Sequence, residues 1–134
     1  MPFRFTMPVR FADVDHAGIV YYPLFFHYFH QAFEEIFRQG MGAKGYLQLL
    51  DGDRVGMPAV RVEANFRKPL RYGDDVAIEV SLARMGERSV TLHYSASLSD
   101  EVCAEADVTC AFIDLDTFES MVPPPGLRAL FESL

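Results

Sequence analysis

One change of period divides this chain. Up to residue 37 its clearest pattern is helical: Tyr22, Phe25, Phe26, Phe29, Phe33, Ile36 and Phe37 recur at the spacing of one buried helix face. From residue 58 the period is 2. Val60, Val62, Ala64 and Phe66 alternate with Arg61, Glu63, Asn65 and Arg67; Val76, Ile78, Val80 and Leu82 alternate with Ala77, Glu79, Ser81 and Ala83. Val90, Leu92, Tyr94, Ala96 and Leu98 form a third run, and Val102 to Asp114 a long fourth. The turn-forming stretches "RYGDD", "RMGER" and "LSDE" separate them. A helix this aromatic needs a large apolar surface, and strands joined by turn-length links supply one as antiparallel ribbons.

The spacing predicts a strand over 3–12, the long helix, a short second helix over 43–50 and then the four strands. Pro23 suits the first turn of the long helix, and Gly40 is the expected stop. His27, Gln31, Glu34, Glu35 and Arg38 form its polar side. "PPP" at 123–125 reads as a link to a C-terminal helix. The expected architecture is one α+β domain spanning residues 1–134, a curved antiparallel sheet wrapped around the helix. The far face of the sheet, with Ala77, Ser81, Ala83, Ser95 and Ser97, is mild enough to meet another subunit.

Half the residues are apolar and the net charge is −7, which suits a folded protein and disfavours nonspecific nucleic-acid binding. No apolar run approaches the ~18 residues of a membrane span, and the N-terminus lacks the pattern of a secretory leader. Cys103 and Cys110 fall in one strand at an odd offset, so they are expected on opposite faces, unbridged and reduced in a cytoplasmic protein.

The chemistry concentrates in "DVDHAGIVYYP", residues 13–23. A calcium loop starting at Asp13 would need a bidentate glutamate where Leu24 stands. A phosphoryl-transfer D-x-D belongs to parallel α/β folds, and no Walker-type loop is present. Asp13, Asp15, His16, His27 and His30 lack the spacing of a transition-metal site, so no metal is expected. The remaining arrangement is a tight turn, at Gly18, feeding a helix start. Unpaired backbone N–H groups near Tyr22 would face a developing oxyanion, with Asp15 just upstream to attack a carbonyl or activate water. The alternative is a pair of acids that merely cap a turn.

"RFADVDHAGIVYYPLFFHYF" resembles the signature of hot-dog-fold acyl-CoA thioesterases of the 4-hydroxybenzoyl-CoA thioesterase type. "GMPAVRVEANFRKPLRYGDDVAIEV" and "RMGERSVTLHYSA" resemble later segments of the same family, so that the likeness spans residues 5 to about 115. The resemblance implies a hot-dog fold, with two subunits pairing sheets edge to edge and a dimer of dimers as the assembly. It implies Asp15 as the catalytic carboxylate, Asp13 as structural, and the Tyr22 backbone N–H as the group polarising the thioester carbonyl. Met57 and Pro58 match a segment lining the acyl pocket from the neighbouring subunit. Arg88 and Ser89 match the region that meets coenzyme A. His30 stands where the hydroxybenzoyl branch carries an acid, and Gly86 and Glu87 make the coenzyme A turn less basic.

The implied activity is hydrolysis of an acyl-CoA to a free acid and coenzyme A, with no cofactor beyond the substrate itself. Asp15 acts as nucleophile or as general base, and both routes stay open. Three rivals share the fold: a hydratase using His16 or His30, a non-catalytic acyl-CoA-binding or sensing protein, and an acyl-carrier-protein thioesterase. The last would need a basic patch, and "RVEANFRKPLR" at 61–71 is the obvious cluster.

Overall fold

A computed structural model describes residues 2–134. Strand β1 (Phe3–Pro8) leads through a single 3₁₀ turn (Phe11–Asp13) to helix α1 (Leu24–Met41). Helix α2 (Gly45–Leu47) continues as a wider turn over Gln48–Gly52. Then follow β2 (Val55–Gly56), β3 (Ala59–Phe66), β4 (Asp75–Met85), β5 (Ser89–Leu98), β6 (Glu101–Ala111), β7 (Ile113–Asp114) and helix α3 (Pro125–Glu132). Five strands form one antiparallel sheet in the order β1-β4-β5-β6-β3, and β2 pairs with β7. This is the hot-dog arrangement, with α1 laid against β1, β4 and β5.

The period-2 pattern explains the packing. Val76, Ile78 and Val80 of β4, Val90, Leu92, Tyr94 and Ala96 of β5, and Ala104 and Ala106 of β6 all turn inward. They meet Phe25, Tyr28, Phe29, Ala32, Phe33, Ile36 and Phe37 of α1. Each large apolar side chain so buried contributes about 1.5–3 kcal/mol relative to exposure. Register slips at Leu82/Arg84 and Ala96/Ser97 add local twist to long strands that must bend around a helix.

Several expectations need correction. The first strand stops at Pro8, because Val9 instead exchanges backbone hydrogen bonds with Gly73 and Asp74. Tyr22 precedes α1 and is exposed; the buried aromatics of the first turns are Phe25, Tyr28 and Phe29. Gly40 lies inside the helix and does not stop it. A Cβ there would collide with Leu130 of α3, so the glycine permits close helix contact. The stop is Gly42, at φ 90°, whose N–H closes on the Arg38 carbonyl.

Strand β3 does not form a ribbon with β4. It crosses to β6, from Ala59↔Cys110 to Phe66↔Ala104, and becomes the edge of the sheet. The fourth run breaks at Phe112, a fully buried residue between β6 and β7. Cys103 falls in the slip that pairs Ala96 with Ala104 and Ser97 with Val102. The extra residue cancels the odd offset, and both cysteines reach the same hydrophobic cluster as free thiols.

Candidate active site

The site begins with a short hairpin before α1. Val14 bridges Val20, the Asp15 N–H donates to the Ile19 carbonyl at 2.9 Å, and the Tyr21 N–H donates to the Asp13 carbonyl at 3.0 Å. Gly18 turns the loop at φ 81°, a left-handed conformation that favours glycine, and its N–H closes on the Asp15 carbonyl at 2.9 Å. The hairpin therefore ties the Asp15 turn and the start of α1 into one rigid piece.

The two acids in it differ sharply. Asp13 accepts from the Arg10 N–H at 2.9 Å and from the buried Tyr28 hydroxyl at 2.7 Å. Burial, reinforced by that hydrogen bond, pushes the Tyr28 hydroxyl above its ordinary range, so it remains a donor. Asp15 is exposed. One of its oxygens accepts the Ala17 N–H at 2.8 Å, which fixes the carboxylate rotamer, and Oδ2 meets no donor among the described residues. The Tyr22 N–H likewise has no acceptor among them, whereas the N–H groups of Leu24, Phe25 and Phe26 are already paired with Tyr21, Tyr22 and Pro23 carbonyls.

An aromatic path leads inward from this start. Phe66, at the end of edge strand β3, makes edge-on contacts with Tyr22, Phe25 and Phe26 at centroid separations of 6.0, 5.5 and 6.2 Å. Phe26 then lines a cavity of about 340 Å³ together with Phe29, Phe33, Val62 and Val108. His30, Tyr46, Tyr94 and Cys110 bring the polar side chains of its lining. Burial raises the Tyr94 and Tyr46 hydroxyls, with the neighbouring Cys110 adding to both. Burial also pushes the Cys110 thiol up to about 11.

The residues singled out from sequence fall in three places. His30 and Met57 line this cavity, His30 at its exposed rim and stacked on Phe33, with Glu34 3.8 Å away. Met57 reaches the cavity of its own chain, while Pro58 is exposed and uses its carbonyl to accept the Ala111 N–H. Asp15 and Tyr22 belong to the hairpin. Arg88 lies apart, donating to the Ser120 carbonyl at 3.2 Å, and Ser89 opens onto the outer sheet face beside Arg61, Arg84, Thr91 and Thr109. No cluster of three or more His, Cys, Asp or Glu among the described residues could hold a metal. No helix among them is long and apolar enough to cross a membrane.

Sequence reading missed Tyr46, Tyr94 and Cys110 as cavity residues and Phe66 as the aromatic partner of the helix start. The one visible sign was Tyr94, a hydroxyl-bearing side chain in the apolar register of β5.

Residues 9–131 match the family model of the thioesterase-like superfamily. The chain belongs to that family. It is a thioester hydrolase with the hot-dog fold. A 1,4-dihydroxy-2-naphthoyl-CoA hydrolase of Prochlorococcus marinus is 27% identical over 133 residues, covering 93% of this chain and 86% of its own. A 1,4-dihydroxy-2-naphthoyl-CoA thioesterase from Synechocystis superposes with a TM-score of 0.89 at 20% identity, covering 100% of this chain and 98% of its own. A gentisyl-coenzyme A thioesterase superposes at 0.82 with 25% identity, covering 93% and 98%.

Proposed function

We propose that this thioesterase hydrolyses an aryl-CoA to the aromatic acid and coenzyme A, with Asp15 as its reacting carboxylate. The observation that carries this reading is the aromatic-walled cavity lined by Phe26, whose ring meets Phe66 and through it Tyr22 at the helix start. A cavity of ~150 Å³ takes one benzene ring. At about 340 Å³ this one has room for a bicyclic acyl group or a substituted single ring. The relatives named for dihydroxynaphthoyl-CoA and gentisyl-CoA support the same class.

The thioester carbonyl would lie at the start of α1, its oxygen toward the free Tyr22 N–H. As the carbonyl is attacked, charge builds on that oxygen, and one oxyanion donor is commonly worth ~3 kcal/mol. In the nucleophilic route Asp15 Oδ2 bonds to the carbonyl carbon and the C–S bond breaks. Coenzyme A leaves as thiolate and takes a proton from water, and a second water cleaves the mixed anhydride to restore the carboxylate. In the general-base route Asp15 takes a proton from water as its oxygen adds to the carbonyl, and that proton passes to the departing thiolate. Neither route needs a metal or redox cofactor. The Ala17 N–H suits both, because it aims the carboxylate without covering Oδ2.

Coenzyme A phosphates would meet Arg88, whose guanidinium uses one nitrogen on Ser120 and keeps the rest for ligand, with Ser89 alongside. The assembly proposed is a homo-oligomer, a dimer of dimers. Its support is edge strand β3, where Val60, Val62 and Phe66 are exposed and the outer edge lies unpaired. We place the enzyme in the cytoplasm, where free thiols such as Cys103 and Cys110 persist.

The test is thiol release from benzoyl-, hydroxybenzoyl-, naphthoyl-, phenylacetyl- and medium-chain acyl-CoAs by wild type and Asp15→Asn. Aryl thioesters should turn over fastest, and the variant should lose at least ~100-fold in kcat while still binding substrate. Equal rates in the two proteins would remove Asp15 from the chemistry. Binding without turnover in wild type would replace hydrolysis by sensing.

A further inference from the structure

Tyr94 stands out among the polar groups of the cavity. It is 4% exposed, lines the cavity, and its hydroxyl makes no hydrogen bond with any described residue. Buried hydroxyls are nearly always partnered, and leaving one bare is costly. Among the described residues no buried side-chain nitrogen or oxygen that is sealed from solvent lacks a partner, so the Tyr94 oxygen must open onto the cavity. Its ring is held at 5.2 Å from Phe29, which fixes where the hydroxyl points. Tyr46 and Cys110 lie close enough to act on its ionisation, and burial pushes all three further above the range where they would ionise at neutral pH. The largely aromatic and aliphatic cavity thus presents at Tyr94 a neutral, unpartnered hydroxyl that can donate or accept.

From this we infer that Tyr94 is a specificity-determining residue: its hydroxyl hydrogen-bonds a hydroxyl carried by the aromatic acyl group, on the ring edge remote from the thioester. The inference rests on the aryl-CoA reading and assigns the discrimination to one atom. A site built to hydrogen-bond a substrate hydroxyl disfavours the analogue lacking it, because the protein group is left unpaired. His30 is less suited to this role, since its ring sits at the solvent-exposed rim with Glu34 beside it.

Tyr94→Phe removes one oxygen and keeps the ring against Phe29, so the fold is retained. The probes are 2-naphthoyl-CoA, 4-hydroxy-2-naphthoyl-CoA and 5-hydroxy-2-naphthoyl-CoA, together with the three free acids. Wild type should favour at least one hydroxylated thioester by ~10-fold or more in kcat/KM. Tyr94→Phe should abolish most of that preference, lowering kcat/KM for the hydroxylated thioester while that for 2-naphthoyl-CoA holds or rises, since no protein hydroxyl is then left unpaired against it. A preference unchanged by the variant, or all three substrates falling together, would overturn the assignment. If wild type hydrolyses none of the thioesters, the aryl-CoA reading fails separately. The Kd ratio of hydroxylated to plain acid then decides on Tyr94: a ratio reduced ~10-fold by the variant supports it, and an unchanged ratio ends it.

Discussion

The Tyr28 hydroxyl donates to the Asp13 carboxylate at 2.7 Å, joining the buried face of α1 to the hairpin that carries Asp15. Asp13 in turn uses its backbone carbonyl to hold Tyr21, one residue before the Tyr22 N–H. One hydrogen bond thus couples the core to the register of the site. Tyr28→Phe should destabilise the protein by about 1.5–3 kcal/mol, the usual worth of a hydrogen bond to a charged group. Urea unfolding measures this. Because the hairpin loosens, kcat should fall more than KM rises, and a variant as stable and as active as wild type would show that the bond positions nothing.

Gly18 makes a second prediction about the same hairpin. A Cβ built there meets nothing within 4 Å, so any cost of substitution lies in the backbone at φ 81°. L-residues in this conformation cost about 1–2 kcal/mol, and asparagine tolerates it better than alanine. Thermal melts should rank Gly18 above Gly18→Asn above Gly18→Ala, and kcat should follow the same order. If alanine melted with wild type, strain at this turn would be irrelevant.

Much of this was legible from sequence because the patterns are local. The period of 3.6 located α1 to within two residues at its start, since a helix face is written in its own spacing. The alternation of β4 and β5 was readable for the same reason, whereas the fourth run reads as one long strand yet breaks at Phe112 between β6 and β7. The pairing of β3 with β6 was not readable, because both β3–β4 and β3–β6 pairing satisfy the same alternation. Only the packing of the whole sheet chooses between them. Gly40 misled because glycine serves both as a helix stop and as a close-contact residue, and the contact lies with Leu130, ninety positions away. The cavity was hidden likewise: Phe26, Met57, Tyr94 and Cys110 come from four separate segments, and no spacing records their convergence.

The unpaired edge of β3 makes a third prediction. Exposed edge strands template association, and this one carries Val60, Val62 and Phe66. Light scattering should give twice or four times the chain mass at micromolar concentration. The β3 amides without a partner inside the chain should exchange with deuterium more slowly as concentration rises. A monomer whose β3 amides exchange at one rate at every concentration would exclude an assembly through this edge.

The last prediction concerns alkaline pH. Burial raises the Cys110 thiol from 9.0 to about 11 in the folded protein. Below pH 9 both states hold the proton and the thiol adds no pH dependence. Between pH 9 and 11 the unfolded chain releases it while the folded chain keeps it, so stability falls as pH rises, by at most about 1.4 kcal/mol per unit. The raised Tyr94 and Tyr46 hydroxyls act in the same direction, starting nearer pH 10 where an unfolded tyrosine titrates. Cys110→Ala removes only this thiol's part, because Cys103, also raised by burial, stays in the variant. Its urea-unfolding free energy should therefore decline less steeply than that of wild type from pH 8 to about 9.5, and the gap between the two should narrow across that interval. A gap that holds constant would mean the thiol ionises alike in both states, and that the cavity around Tyr94 is wetter than its burial implies.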